Sequence, residues 1–410
     1  MSALVDSAAE QRLAEYVDGI GRILGNRNQR AAFAVYSMGL LGDGERKSQE
    51  PIAARACGDP AKVHAMQARL GRFLNDAEWN NASVRSYGVH YALREMTRHG
   101  PVRHAIIDDT GMLKQGSHSV GVQRQYTGSA GKVTNCQVAV TLTIATEHAH
   151  VPIDAELYLP ESWTNDPKRR AEARIPDDVI FRTKLDLALQ MIRRAIEEKI
   201  PLGIVLVDAA YGNSGGFRSE LQQLGVPYGV AIQGSTKVWQ LDRQERIRGV
   251  AVSACDLGQK LKAQKNKFRR TTWREGTGSP LSARFAAVRV ASAHDDPLVE
   301  PKHREAQWLF IEWPDNEAEP CKYHLCNLPK TTSRKKLIRS IKERYRTERG
   351  YQDLKGQLGF DHFEGRRWPG WHHHISVVLC CFAFVVAEQA RRFPPSTRRA
   401  EVPQTLDLAA

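Results

Sequence analysis

The chain has 410 residues, 41% of them hydrophobic and 26% charged, which excludes a disordered polymer and leaves room for about two to three domains. Lys and Arg number 59 against 46 Asp and Glu, a net charge of +13, so a polyanionic partner is expected, DNA ahead of an anionic membrane. The longest apolar run, "ISVVLCCFAFVVA" at 375–387, falls short of the roughly 20 residues of a spanning helix, and no signal-peptide pattern opens the chain, so a cytoplasmic protein without membrane association is expected.

Residues 1–95 read as all-helical: Leu13, Tyr16, Val17, Ile20 and Leu24 recur at helical spacing, and "VHAMQARLGRFL" at 63–74 repeats the pattern. The texture then changes. "RHAIIDDTG" (103–111), "NCQVAVTLTIA" (135–145) and "VPIDAELYLP" (151–160) are rich in Val, Ile and Thr and bounded by turn formers, so they predict strands. A helix from Thr183 to about Lys199 follows, with Leu185, Leu189, Ile192 and Ile196 on one face. "GIVLVD" then predicts a strand ending on a lone carboxylate, Asp208, before a short helix near 217–224 and a strand in "PYGVAIQ". Strands followed by a strand-helix-strand unit imply a mixed sheet with helices packed on it, an α/β core spanning 96–235.

From 236 to 330, "GVAVSACDLGQKL", "RFAAVRVASA" and "QWLFIEW" suggest a β-rich insertion. Its segment "KLKAQKNKFRRTTWREG" at 260–276 sets Lys260, Lys262, Lys265, Lys267, Arg269 and Arg270 around Phe268 and Trp273, a composition suited to gripping phosphates and stacking a base. Residues 331–395 return to helix, and 396–410 read as a loose tail. Seven scattered cysteines lack paired C-x-x-C spacing and are expected to be reduced thiols; Cys321, His324 and Cys326 want a fourth ligand. Consecutive histidines spread around a helix, so "WHHHISVV" at 371–378 reads as a partly exposed helix start rather than a metal site.

Within "IRSIKERYRTERGYQDLKGQLGF" (338–360), a helix aligns Ile341, Arg344, Glu348 and Lys355 on one stripe. Two acids at strand ends, Asp109 and Asp208, with one acid on a later helix offer hard oxygen ligands for Mg²⁺. At these residues the chain resembles the DDE transposases of bacterial insertion sequences, the group with a Tyr-x-x-Arg-x-x-x-Glu-x-x-x-x-x-x-Lys signature. Arg344, Glu348 and Lys355 fall on that signature, and Ile341 stands where the family has Tyr. "IIDDTG" matches the family's first acid and its Asp-Thr context selects Asp109 over Asp108; "VLVDAAYG" matches the second.

The resemblance implies an RNase H-like catalytic core with a β-rich insertion, preceded by an all-helical N-terminal domain. It further implies a transposase that cleaves and joins transposon-end DNA by phosphoryl transfer with two Mg²⁺ ions, for which Mn²⁺ substitutes, held by Asp109, Asp208 and Glu348. Arg344 and Lys355 would hold the DNA backbone; Trp308, Trp273 and Tyr323 are the candidates to support a flipped base. Binding of transposon ends is expected to involve the N-terminal region with Arg27, Arg30, Arg46 and Lys47, and a homodimer on DNA, associated with the nucleoid, is expected from the need to join two ends and a target. A domesticated DNA-binding regulator and a stand-alone metal-dependent nuclease are the alternatives. Successive strand residues face opposite ways, so Asp109→Asn and Asp208→Asn are expected to abolish cleavage and Asp108→Asn to spare it.

Overall fold

The computed structural model describes residues 7–274, 280–293 and 305–392; the tail expected at 396–410 lies outside them. Its first part is helical: α1 (Ser7–Leu24), α2 (Arg27–Leu41), α3 (Gln49–Ala56), α4 (Val63–Asn75) and α5 (Asn81–Met96). The helical spacing in α1 buries Tyr16, Ile20 and Leu24. Asn26 and Asn80 start α2 and α5 by accepting the backbone N–H groups of Asn28 and Ser83.

Next come β1 (His104–Leu113), β2 (Gln123–Thr127), β3 (Lys132–Ala145) and β4 (His150–Tyr158), then α6 (Glu161–Thr164), α7 (Pro167–Ala173) and α8 (Lys184–Glu197). A capping box fixes the start of α8: Thr183 accepts the Asp186 N–H and the Asp186 carboxylate accepts the Thr183 N–H. Strand β5 (Ile204–Val207) leads through α9 (Ala209–Gly212) and α10 (Gly215–Gln223) to β6 (Tyr228–Ile232). Strand β1 runs antiparallel to β3 and parallel to β5, and β5 parallel to β6. An antiparallel β1-β3-β4 meander followed by two strands parallel to β1 is the strand order of an RNase H-like sheet. Gly212 lets α9 lie on β6, because a Cβ there would meet the Ala231 carbonyl at 2.0 Å.

The region after β6 contains β7 (Lys237–Leu241), β8 (Ile247–Ser253), α11 (Ala254–Lys262), β9 (Arg269–Arg274), β10 (Leu281–Ser292), β11 (Gln307–Trp313) and β12 (Lys322–Cys326). Strand β12 pairs antiparallel with β6, so the insertion continues the core sheet in the order β2-β3-β1-β5-β6-β12-β11-β10-β7-β8, with β4 on β3 and β9 on β10. "GVAVSACDLGQKL" is not one strand. Ser253 accepts the Asp256 N–H and starts α11, which buries Leu257 and Leu261 one turn apart.

The chain closes with α12 (Arg334–Ile341), α13 (Tyr345–Leu358) and α14 (Trp368–Arg392). Helix α14 is long and apolar enough to cross a bilayer, more than its apolar run alone suggested, yet 94% of its most apolar window is buried in protein. It is a core helix, packed against α2, α4, α5 and β4. One hydrophobic core runs from Tyr16 through Phe33 and Ile107 to Trp371 and Phe384, so the change at residue 95 is a change of secondary structure and not a break in packing. The histidines at the start of α14 are buried rather than partly exposed, because α2 and α4 cover that end. His373 Nδ1 lies 2.7 Å from the Leu74 carbonyl, and His374 bridges the Tyr36 hydroxyl (2.8 Å) and the Gly359 carbonyl (3.1 Å).

A charged network ties these layers together. Asp154 on β4 meets Arg194 of α8 at 2.6 Å and Arg85 of α5 at 3.3 Å; Arg194 also reaches Glu156 at 2.6 Å, and Arg85 donates to Ser376 of α14 at 3.1 Å. Replacing Asp154 by Ala leaves two largely buried guanidinium groups short of a partner. The variant is expected to lose about 3–5 kcal/mol of stability, read as a drop in the urea midpoint; an unmoved midpoint would refute the structural weight given to this network.

Candidate active site

The β1–β3 register sets Asp108 directly opposite Thr141, so both side chains leave the same face of the sheet. Helix α13 covers that face, and its Tyr351 hydroxyl is 2.6 Å from Thr141 Oγ1. The parallel β1–β5 register pairs Ile106 with Leu206; Asp208 follows the last residue of β5, close enough to Asp108 for like-charge repulsion. Asp208 caps α9, its Oδ1 accepting the N–H groups of Ala210 (2.9 Å) and Tyr211 (3.4 Å). Asp109 points to the opposite face, where Lys184 at the start of α8 reaches its Oδ2 at 2.9 Å and the Tyr211 hydroxyl reaches it at 3.3 Å.

Arg344 connects the strand acids to the helix acid. One Nη donates to Asp108 Oδ2 at 2.7 Å and the other to Glu348 Oε1 at 3.0 Å. The Asp108 side chain is 14% exposed and that of Glu348 59%. Burial pushes the Asp108 carboxyl up to about 7; Arg344 opposes that shift, and Asp208 and Asp109 reinforce it by like-charge repulsion. Tyr211 and Tyr351, both buried beside the acids, are raised for the same reasons, burial first.

The single helical stripe expected over 338–360 is interrupted. A 3-10 turn at Lys342–Arg344 separates α12 from α13, leaving Ile341 at the end of α12, buried over Gly229, and placing Arg344 ahead of Glu348 and Lys355. Lys355 does not project freely from α13. It donates to the Gly111 carbonyl at 2.7 Å and to Ser129 at 3.0 Å, and burial lowers its pKa.

The basic segment is α11, a loop and β9. Lys260, Lys265, Lys267 and Arg269 are exposed, and among the described residues none of them is ion-paired. Lys262 is held by Glu319 (2.6 Å) and Arg270 by Asp315 (2.8 Å). Residues 275–276, at the end of that segment, lie outside the described residues. Trp273 packs edge-on to Phe285 with the Lys342 ammonium 4.5 Å from its ring, and Trp308 is half-buried, its N–H donating to the Pro329 carbonyl at 3.3 Å. Tyr323 is buried, its hydroxyl donating to the Pro320 carbonyl at 2.7 Å. Neither Trp273 nor Tyr323 therefore offers a free ring to a base. Arg27, Arg30 and Arg46 are exposed, whereas Lys47 is buried and donates to the carbonyls of Leu40 (2.9 Å) and Gly42 at the end of α2, which removes it from any DNA-facing set.

Among the described residues no three His, Cys, Asp or Glu side chains converge closely enough to enclose a metal by themselves. Mg²⁺ does not require such a cage; it is commonly held by one or two carboxylates, waters and substrate phosphate oxygens. Asp108 and Asp208 fit that pattern. They are adjacent, Asp108 is buried and incompletely neutralised, and Asp208 keeps its second oxygen clear of the α9 cap.

An RNase H-like sheet with one acid within β1, a second just past the end of its parallel neighbour β5, and an Arg at the turn that leads into the Glu-bearing helix defines the class of polynucleotide-processing folds. The chain belongs to the DDE superfamily endonucleases: that family's model matches residues 20–280, and a transposase DDE domain model matches residues 181–384. It is also similar to a protein of Microchaete diplosiphon described as a probable transposase for insertion sequence element IS701, at 31% identity over 214 residues, 52% of this chain and 51% of that one. The match spans about half the length of that relative.

Proposed function

We propose that this protein is a DNA transposase that cleaves and joins the ends of an insertion sequence in a divalent-metal-dependent reaction, with Asp108, Asp208 and Glu348 as its carboxylates. The observation that carries this reading is the gathering of the acids: Asp208 lies within like-charge repulsion of Asp108, and Arg344 links Asp108 to Glu348. The Asp109 selected by sequence context is assigned a supporting part, because its carboxylate is spent on Lys184 and Tyr211 across the sheet.

Asp108 and Asp208 would hold Mg²⁺, with Glu348 contributing from the more exposed side. When bound, such an ion activates the attacking hydroxyl and stabilises the leaving oxygen at a phosphodiester. The protein's own groups position the reaction. The Asp208 cap fixes one carboxylate against α9, and Tyr351 wedges α13 against Thr141 beside Asp108. Arg344 supplies a planar guanidinium able to receive a phosphate between the acids. Lys355 acts through structure, holding the Ser129 turn to β1, and not as the free DNA-binding cation the signature suggested.

The substrate would be the element's terminal inverted repeats and a target duplex, engaged by a dimer. The exposed Lys260, Lys265, Lys267 and Arg269 supply phosphate contacts, so affinity for end DNA is expected to fall steeply with salt. Charge reversal of those four should flatten the log-log slope by about 0.9 per lost contact, up to about 4 in all. Reversal of Lys262 and Arg270, already engaged by Glu319 and Asp315, should change it less. Equal slopes for the wild type and the fourfold variant would take this surface out of the DNA interface. The function itself is tested by incubating the full chain with a duplex of the element's end and Mg²⁺: nicked and strand-transferred products are expected, and a protein that binds the end without ever cutting it would leave only a DNA-binding role.

A further inference from the structure

Among the described residues only two aromatic side chains are exposed, Tyr126 at 64% and Tyr345 at 37%. The ring of Tyr345 is covered by Arg274, 4.2 Å from its centroid. Tyr126 has no such cover. It lies on β2 directly opposite Val133 of β3, itself 54% exposed, so the two form one apolar patch on the outer face of the hairpin. Exposed Arg124 stands two residues before Tyr126 on the same face, whereas exposed Lys132 pairs with Thr127 and leaves the other face. The alternate residue, Thr127, is buried, and a Cβ at Gly111 would meet its Oγ1 at 2.0 Å, so the hairpin lies close upon β1.

The hairpin is fastened to the acid-bearing strand. Ser129 in its turn is 3.3 Å from Thr110 Oγ1, two residues beyond Asp108 and on the same face, and Lys355 bridges Ser129 to the Gly111 carbonyl. An uncovered aromatic beside a β-branched neighbour, with Arg124 on its own face and its turn fastened to the acid-bearing strand, has the composition of a platform for a nucleobase whose phosphate the cation holds.

We propose that the β2–β3 hairpin is the base-stacking element of the site, with Tyr126 receiving an unstacked base of the DNA flanking the scissile phosphate, and Arg124 holding its backbone. This rests on the proposed DNA-cleaving function. Of the insertion aromatics, Tyr323 is buried, Trp273 is packed against Phe285 and the Lys342 ammonium, and Trp308 is half-buried, so Tyr126 is the more open ring.

The test uses the full chain and a duplex of the element's own end carrying 2-aminopurine at successive positions around the cleavage site. With wild-type protein, one position should show the fluorescence change of an unstacked base taken up by a ring. Tyr126→Ala should abolish that change and slow cleavage about tenfold or more, while Tyr126→Trp restores both. Because the side chain is exposed, Tyr126→Ala should keep the wild-type circular dichroism and melting midpoint. Wild-type cleavage together with an unchanged fluorescence profile and rate in Tyr126→Ala would overturn the stacking assignment and leave the DNA-cleaving function standing. Failure of the wild type itself to cleave would instead strike the function. A rate loss in Tyr126→Ala that Tyr126→Trp does not restore would also count against a stacking ring.

Discussion

Asp108→Asn and Asp208→Asn are each expected to lower Mg²⁺-dependent cleavage of end DNA about a thousandfold or more, while Asp109→Asn keeps most of it. The contrast follows from where the three carboxylates point. Asp208 lies just past the end of β5, within like-charge repulsion of Asp108, and Asp108 shares its face with Thr141, Tyr351 and the Arg344–Glu348 pair. Removing a carboxylate that holds a catalytic cation forfeits several kcal/mol of transition-state charge stabilisation, and each 1.36 kcal/mol is a factor of ten in rate. Asp109 faces Lys184 and Tyr211, so its amide variant gives up an ion pair that fastens α8 to β1 and should show mainly as a lower melting midpoint. Binding, carried by basic side chains, should persist in all three variants. Single-turnover cleavage and a gel shift on the same preparations decide the matter. A dead Asp109→Asn beside an active Asp108→Asn would restore the assignment drawn from the Asp-Thr context.

Much of this architecture is legible in the sequence because it is local. The helix start at Thr183, the apolar spacing of α1 and α8, and the Val- and Ile-rich strands around both acids are short-range signals, and the structure has helices and strands at those places. What escaped is set by register and by distant cover. Which of two adjacent acids joins Asp208 depends on the alignment of Ile106 with Leu206, a fact about two strands far apart in the chain. The partners Lys184, Tyr211 and Tyr351 carry no motif that singles them out. The burial of Lys47, Trp273 and Tyr323 likewise depends on what packs over them. Strand β2 was missed because "QRQYT" is polar and half of it faces solvent, which is also why its one large aromatic went unnoticed.

The same long-range burial makes the protein acid-labile. Six histidines are held neutral by burial: His104, His150 and His373 are lowered to about 4, His324 and His374 to about 3, and His372 well below its ordinary value, each chiefly through desolvation. The contacts agree with neutral rings. His374 receives the Tyr36 hydroxyl on one nitrogen and faces the Gly359 carbonyl with the other, while His104 Nδ1, His150 Nε2, His324 Nδ1 and His372 Nε2 are buried without a hydrogen-bond partner among the described residues. Above about pH 6.5 these groups are neutral whether the chain is folded or unfolded, and they do not bias the equilibrium. As the pH falls below that value the unfolded chain takes up protons that the folded one refuses, so each group lowers stability by about 1.4 kcal/mol per pH unit until its folded pKa is reached. Asp108 acts the other way: its folded pKa near 7 lies above the unfolded value, so the folded state gains relative stability as the pH falls from 7 toward 4. One such group against six leaves a net loss of stability on acidification. Cooperative unfolding is therefore expected between about pH 6 and 5, read by circular dichroism at fixed temperature in buffers of constant ionic strength. His324→Leu, which removes a buried ring with a partnerless nitrogen, should make the acid limb shallower by about one proton. A melting midpoint that stays level from pH 7 to pH 5 would mean that these rings are hydrated or paired in the folded protein, contrary to the desolvation that keeps them neutral.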